Sequence, residues 1–247
     1  MAYDVEKVNP YYSNLPKKEQ VSHMFDEIAP NYDKLNGVLS FGIDKYWRRA
    51  AIEELREDAP ETILDIATGT GDFAFLSLRL LQPKRIVGID ISEGMLKVAN
   101  YKAKERDVTD VITFEIQDST AMSFPDDTFD AATVAFGVRN FEDVDAGFTE
   151  ILRVLKPGGK FIFLELSNPE KAPFKNLYDF YEKKVIPTIG EMLSTSKEAY
   201  EYLPKSIKAF PQGREMMLIL KKNGFVNIRM RRLTLGICSL YIAEKTL

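Results

Sequence analysis

The chain has 247 residues, of which 45% are hydrophobic and 28% charged, and its formal net charge is −4. That length buries a full core in one large domain, or in one domain with an appended cap, and the acidic balance argues against nucleic acid as a partner. A single cysteine, Cys238, and a single histidine, His23, exclude an intrachain disulfide and argue against zinc, a histidine-based metal site or a Ser-His-Asp triad, so no metal is expected.

Residues 1–15 show no period and read as an irregular arm. From about Lys17 a helix is expected, with Phe25, Ile28, Ala29 and Tyr32 at i, i+3, i+4 and i+7, and with Pro30 ending or kinking it. A second helix runs from about Ile43 to Arg56, with Ile43, Trp47, Ala50, Ala51 and Leu55 on one face. Residues 1–57 thus suffice for a helical cap ahead of a catalytic unit over 58–247. Ile63-Leu64-Asp65-Ile66, a turn with Gly69 and Gly71, and a helix over Phe73–Leu81 make the first crossover of an open α/β nucleotide-binding sheet. The two glycines allow positive φ and let a ligand lie against bare backbone.

The strand Arg85–Asp90 ends in a carboxylate, Asp90, 19 residues past Gly71, close to the spacing at which an acid takes two ribose hydroxyls. Ser92 caps a helix over Glu93–Lys104. A third strand, Ile112–Gln117, ends at Asp118-Ser119, where Asp118 can accept from an adenine amino group. A fourth, Ala131–Phe136, leads into Gly137-Val138-Arg139-Asn140 on the ligand side of the sheet. A helix over Val144–Leu155 stops at Pro157-Gly158-Gly159, and Lys160–Leu166 is the fifth strand. Residues 173–210 read as a helical, aromatic-rich insertion in which Phe174, Leu177, Tyr178 and Tyr181 share one stripe, either core or the wall of a site for a large apolar substrate. Pro211–Asn223 is the last helix, ended by Gly224. Val226–Leu233 and Ser239–Ala243 complete the sheet as an antiparallel pair.

Gly69-x-Gly71-x-x-Ala74 also satisfies the loose dinucleotide pattern, so the turn alone does not choose the cofactor. Asp72 puts a carboxylate at the helix N-terminus, where a dinucleotide needs its pyrophosphate. S-adenosylmethionine has no phosphate and presents an ammonium and a sulfonium. Asp65 and Asp72 flanking the turn suit those cations and favour S-adenosylmethionine over NAD. The competing reading makes Asp72 a helix-dipole carboxylate and Asp65 a hydrogen-bonded one.

Three longer motifs carry a family resemblance. Phe25-Asp26-x-Ile28-Ala29-x-x-Tyr32-Asp33-x-Leu35-Asn36-x-x-Leu39-Ser40-Phe41-Gly42 precedes Trp47. Phe136-Gly137-Val138-Arg139-Asn140 is the second. The third runs from Arg153-Val154-Leu155-Lys156-Pro157-Gly158-Gly159-Lys160-Phe161 to Leu164-Glu165-Leu166-Ser167. From about residue 20 onward the chain resembles class I S-adenosylmethionine-dependent methyltransferases. More narrowly, it resembles the quinone-biosynthesis C-methyltransferases that methylate demethylmenaquinol and, in some organisms, a ubiquinol precursor.

The resemblance implies a Rossmann-like, seven-stranded, mostly parallel sheet with helices on both faces, an N-terminal helical cap and a helical insertion before the last two strands. It also implies cofactor contacts at Thr70, Asp90, Asp118 and Ser119, around the turn of Gly69 and Gly71. Two departures stand out. Asp44 occupies a position where the family often has His, and Ala135 one where it often has Ser.

A hydroquinone ring carbon is a poor nucleophile until its neighbouring hydroxyl loses a proton, so the site must stabilise a phenolate or supply a base. Arg139 is the candidate for holding that oxygen, with Asn140 orienting it. The proton is left to water, His23 or a tyrosine such as Tyr32. Methylation of another small aromatic or lipid substrate, NAD-dependent oxidoreduction, and a silent cofactor-binding subunit are the competing functions. No signal-peptide pattern opens the chain and no apolar run reaches the roughly 18 residues of a spanning helix. A cytoplasmic enzyme is therefore expected, meeting a polyprenylated hydroquinone by reversible contact at the inner face of the membrane. A homodimer is left open.

Overall fold

The computed structural model describes residues 2–11, 13–169 and 197–247. Seven strands form one sheet: β1 (Thr62–Ile66), β2 (Arg85–Asp90), β3 (Ile112–Ile116), β4 (Phe129–Ala135), β5 (Leu155–Leu166), β6 (Val226–Leu233) and β7 (Cys238–Glu244). Their order is β3-β2-β1-β4-β5-β7-β6, parallel from β3 through β5, with β7 antiparallel between β5 and β6. The expected antiparallel pair at the end of the chain is thus present, and β7 wedges between β5 and β6.

Alternation along the strands sends side chains to two cores. Leu64, Ile66, Phe161, Phe163 and Tyr241 face α6 (Val144–Val154) and α8 (Arg214–Lys222), where Phe163 stacks on Tyr241 at 4.6 Å between ring centroids. Ile63, Ile86, Ile162, Leu240 and Ile242 face α3 (Ile43–Glu53) and α4 (Asp72–Leu81). The helix α5 (Glu93–Glu105) starts as expected at Ser92, whose hydroxyl accepts from the Met95 amide at 3.1 Å.

A third apolar cluster caps the sheet. It joins Val21, Met24 and Ile28 of α1 (Lys17–Ile28), Leu35 of α2 (Tyr32–Leu39), Met95 of α5, and Tyr200 and Tyr202 of α7 (Lys197–Ala209). As expected of Pro30, the helix that begins at Lys17 ends just before it. The chain tightens into a 3-10 turn over Ala29–Asn31, with Pro30 inside it, and starts again at Tyr32. Proline lacks the N–H that a continuous helix would need there.

A difference from expectation lies at β5, which begins at Leu155 directly after α6 instead of at Lys160. Phe129 and Ala131 of β4 pair with Leu155 and Lys160, so one residue faces four and Pro157-Gly158-Gly159 bulges out. Gly158, at φ +76°, makes that bulge, and the Gly158 amide donates to the Lys245 carbonyl at 3.1 Å. Of the expected insertion, α7 is described. The stripe of Phe174, Leu177, Tyr178 and Tyr181 lies outside the described residues.

Candidate active site

Strand order reverses between β1 and β4, and in open α/β sheets ligands lie off the C-terminal ends of the strands at such a point. Two non-glycine residues there adopt left-handed backbone, Ala67 after β1 at φ +50° and Phe136 after β4 at φ +62°. Strain of this kind concentrates at functional sites. Gly137 is required by the same close approach, since a Cβ on it would stand 2.5 Å from the Ala67 methyl.

A cavity of about 700 Å³ opens over these ends. Gly69, Asp90, Asp118 and Ser119 line it from the sheet, and Lys18, Phe25 and Tyr32 cover it from the cap. Asp90 is rigidly placed: one carboxylate oxygen accepts from the Gly69 amide at 2.8 Å and the other from the Ser92 amide at 2.9 Å. Burial raises its pKa, against the pull of those amides. Asp118 accepts from Lys18 Nζ at 2.8 Å and from the Thr120 hydroxyl at 2.7 Å. Burial pushes the Asp118 carboxyl up, but Lys18 and Thr120 outweigh it and hold its pKa below the ordinary value.

The structure separates other expected residues from this cavity. Thr70 is buried and donates to Asp33 at 2.6 Å, and neither Thr70 nor Gly71 is among the lining residues. A Cβ on Gly71 would stand 2.8 Å from both Phe75 and Phe114, so this glycine serves packing as well as the turn. Asp72 is turned outward onto Lys102 at 2.9 Å, and the same ammonium holds Asp33 at 2.5 Å. Asp65 is enclosed, accepting from Thr68 at 2.6 Å and Thr133 at 2.8 Å. The expectation that Asp65 and Asp72 face the cofactor's cations is therefore corrected; the carboxylates on the cavity are Asp90, Asp118 and Glu142.

A second cavity, about 720 Å³, shares Tyr32 and Phe136 with the first. Its wall is largely apolar, with Leu39, Trp47, Leu166, Leu203 and Ile207, and Arg139 reaches it. Arg139 is locked in place by an ion pair from Nη1 to Glu165 at 2.9 Å and a hydrogen bond from the same nitrogen to the Phe136 carbonyl. Burial opposes the Arg139 charge, but Glu165 outweighs it and keeps the guanidinium's pKa above its ordinary value. Nε of Arg139 is buried with no partner among the described residues. Asn140 lies on the cofactor-side cavity, with its side-chain carbonyl accepting from the Tyr202 hydroxyl at 3.0 Å. Burial raises the pKa of the Tyr32 hydroxyl, against a hydrogen bond with Asn36 and the charges of Arg48 and Arg139.

The model of the ubiE/COQ5 methyltransferase family matches residues 14–245. The chain belongs to that family. Among curated relatives, this methyltransferase is 51% identical to the demethylmenaquinone methyltransferase of Bacteroides fragilis, over 99% of this chain and 100% of that one. It is 44% identical to the ubiquinone/menaquinone biosynthesis C-methyltransferase of Geobacter sulfurreducens, over 96% and 92%. Among solved structures, the [4+2]-cyclase SpnF superposes with a TM-score of 0.60 at 19% identity, over 94% of this chain and 97% of that one, a likeness of fold.

Sequence patterns missed several residues of the methyltransferase's site. Phe25 read only as a helix position, whereas it meets Tyr32, already a candidate for the proton, edge to face at 6.1 Å, and both line the first cavity. Lys18 and Tyr202 carried no signal, because their place depends on how α1 and α7 fold back over the sheet. Glu165 had one: an acid near the end of a buried strand needs a cation, and Arg139 was the nearest candidate in the motifs.

Proposed function

We propose that this methyltransferase moves the methyl group of S-adenosylmethionine to a ring carbon of demethylmenaquinol, giving menaquinol. The observation that carries the proposal is the pair of cavities that share Tyr32 and Phe136 in their walls, one ending on Asp90 and the other largely apolar, with the guanidinium of the buried Arg139–Glu165 pair on its wall. A ubiquinol precursor is a second substrate suggested by the name of the Geobacter relative.

The chain's residues fit the cofactor. Each Asp90 oxygen accepts one backbone amide and keeps a further lone pair for a ribose hydroxyl. Asp118, freed of Lys18, accepts an adenine amino group beside Ser119. Thr70 and Gly71 shape the turn and leave direct contact to Gly69. When bound, the cofactor supplies an electrophilic methyl group on a sulfonium.

Activation of the ring falls to Arg139. With its pKa raised it stays charged at all working pH and cannot serve as the base. Its unpartnered Nε–H is a ready donor to the substrate oxygen as negative charge grows there. Glu165 holds the guanidinium in position, and Asn140, fixed by Tyr202, borders the reacting region from the cofactor side. Tyr32, its pKa raised, is neutral near pH 7 and acts as a donor between the two cavities.

The substrate's prenyl tail resides in the bilayer, so the enzyme works from the cytoplasm by reversible contact with the membrane. Purified protein, labelled S-adenosylmethionine and reduced demethylmenaquinone test the proposal: label should appear in menaquinol. Label appearing only in a benzoquinol precursor would move the assignment to the second substrate.

A further inference from the structure

Arg48 lies on α3 and is 8% exposed. Its Nη1 donates to Asp44 one turn earlier, and the other Asp44 oxygen takes the Ser40 hydroxyl at 2.6 Å. The guanidinium carbon stands 5.3 Å from the centroid of the Phe136 ring. Three buried side-chain polar atoms lack a partner among the described residues, and two of them are Nε of Arg48 and Nε of Arg139. Both side chains line the second cavity.

Buried donors are almost always paired, since a dry, unpaired one is strongly disfavoured. Two arginines lining one cavity, each with a spare N–H, call for a ligand with two acceptor atoms. Each guanidinium is already neutralised by its own carboxylate, Asp44 or Glu165, so the cavity does not select for an anion such as phosphate. Trp47, Leu166, Leu203 and Ile237 complete a wall suited to a flat apolar ring. A neutral ring with an oxygen on each of two edges meets all of these conditions.

We propose that Arg48 binds the substrate's second ring oxygen, opposite the one held by Arg139, so that the two arginines select a dioxygenated ring over a ring with one hydroxyl. The proposal rests on the substrate assignment above and adds a recognition role for Arg48. No bond is made or broken at Arg48; it is a binding residue that sets the ring's orientation beneath the methyl donor.

Trp47 is the chain's only tryptophan and lines the same cavity, so its fluorescence reports occupancy directly. The full-length protein is titrated anaerobically, under dithionite, with 1,4-dihydroxynaphthalene and with 1-naphthol. Wild type is expected to bind the dihydroxy ligand about tenfold more tightly or better, since a site with an unmet donor rejects a ligand lacking the acceptor. Arg48→Lys keeps a charge opposite Asp44 but has no Nε–H, and is expected to bind both ligands alike. Its KM for demethylmenaquinol rises while kcat changes little, a split that a general loss of folding would not give. Should Arg48→Lys melt early, the double variant Asp44→Asn/Arg48→Gln removes both charges together and is titrated instead. A preference for the dihydroxy ligand that survives in the folded variant overturns the role of Arg48 and leaves the substrate assignment standing. A wild type whose fluorescence responds to neither ligand sinks the substrate cavity itself, and this proposal with it.

Discussion

Asp65 shows what enclosure does to a single carboxyl. It is 1% exposed, and burial, ahead of the opposing bonds from Thr68 and Thr133, pushes its pKa up to about 6. A group whose folded pKa lies above its unfolded value adds stability that is complete below the unfolded value and lost as pH rises through the folded one. From 3.8 to about 6 that amounts to about 3 kcal/mol against the folded state at neutral pH. Asp65→Asn should therefore raise the unfolding free energy by on the order of 2 kcal/mol near neutrality, with the gain shrinking as pH falls from 6 toward 4. Urea titrations across that range check it, and a gain independent of pH would assign the effect elsewhere. Arg139 needs a different design. Arg139→Ala leaves Glu165 buried and unpaired, which destabilises by about 3–5 kcal/mol and obscures any kinetic effect. In Arg139→Met/Glu165→Gln both charges go together. This variant should stay folded and bind S-adenosylmethionine normally in calorimetry, yet lose about 10²–10³-fold in kcat. Normal turnover would remove Arg139 from the chemistry.

At the scale of elements, α1 is a cover tied down at several points: Lys17 donates to the Arg139 carbonyl at 3.1 Å and Ser22 to the Ile91 carbonyl at 3.0 Å, beside two contacts through carboxylates. Lys18 meets Asp118 at 2.8 Å, and Asp26 accepts from the Ser92 hydroxyl at 2.6 Å and the Gly94 amide at 2.7 Å. The Lys18 pair is partly solvated and contributes about 0.2–1 kcal/mol. Lys18→Ala should speed cofactor association by roughly 2–5-fold at low salt, an advantage that salt erodes; stopped-flow binding measures it, and slower association would mean that Lys18 guides the cofactor in. Buried parallel strands were legible in the sequence because they read as short Val/Ile/Leu runs: Arg85–Asp90 is found where the pattern places it, and the largely exposed antiparallel edge strand Val226–Leu233 is also found where expected, without such a run. Asp90 was legible because spacing along a crossover fixes which strand end a residue reaches. The break of α1 from α2 was legible at Pro30; the 3-10 turn over Ala29–Asn31 that carries the chain through it was not. Nor was the direction of Asp72. A residue at a helix N-terminus points toward ligand or solvent according to its partner, and Lys102 lies 30 residues away.

For the whole molecule, the question is how an acidic protein collects a lipid. Among the described residues no helix is long and apolar enough to cross a membrane, and the net charge of −4 gives no attraction to anionic lipid. Residence at the bilayer should then depend on the substrate. Co-sedimentation is expected with vesicles loaded with demethylmenaquinol, little affected by salt, and not with substrate-free anionic vesicles. Strong, salt-sensitive binding to the empty vesicles would point instead to a basic docking face. The wall residues common to the two cavities have a different consequence, for inhibition. Tyr32 and Phe136 line both, one of about 700 Å³ and the other of about 720 Å³. A molecule joining an adenosyl group to a naphthol through a short tether would meet the second cavity at an effective concentration in the millimolar range, and avidity of that kind exceeds either half alone by about 10²–10⁴-fold. Phe136 is held with left-handed backbone, so the tether's length and bend, and not the strength of either end, would govern its potency.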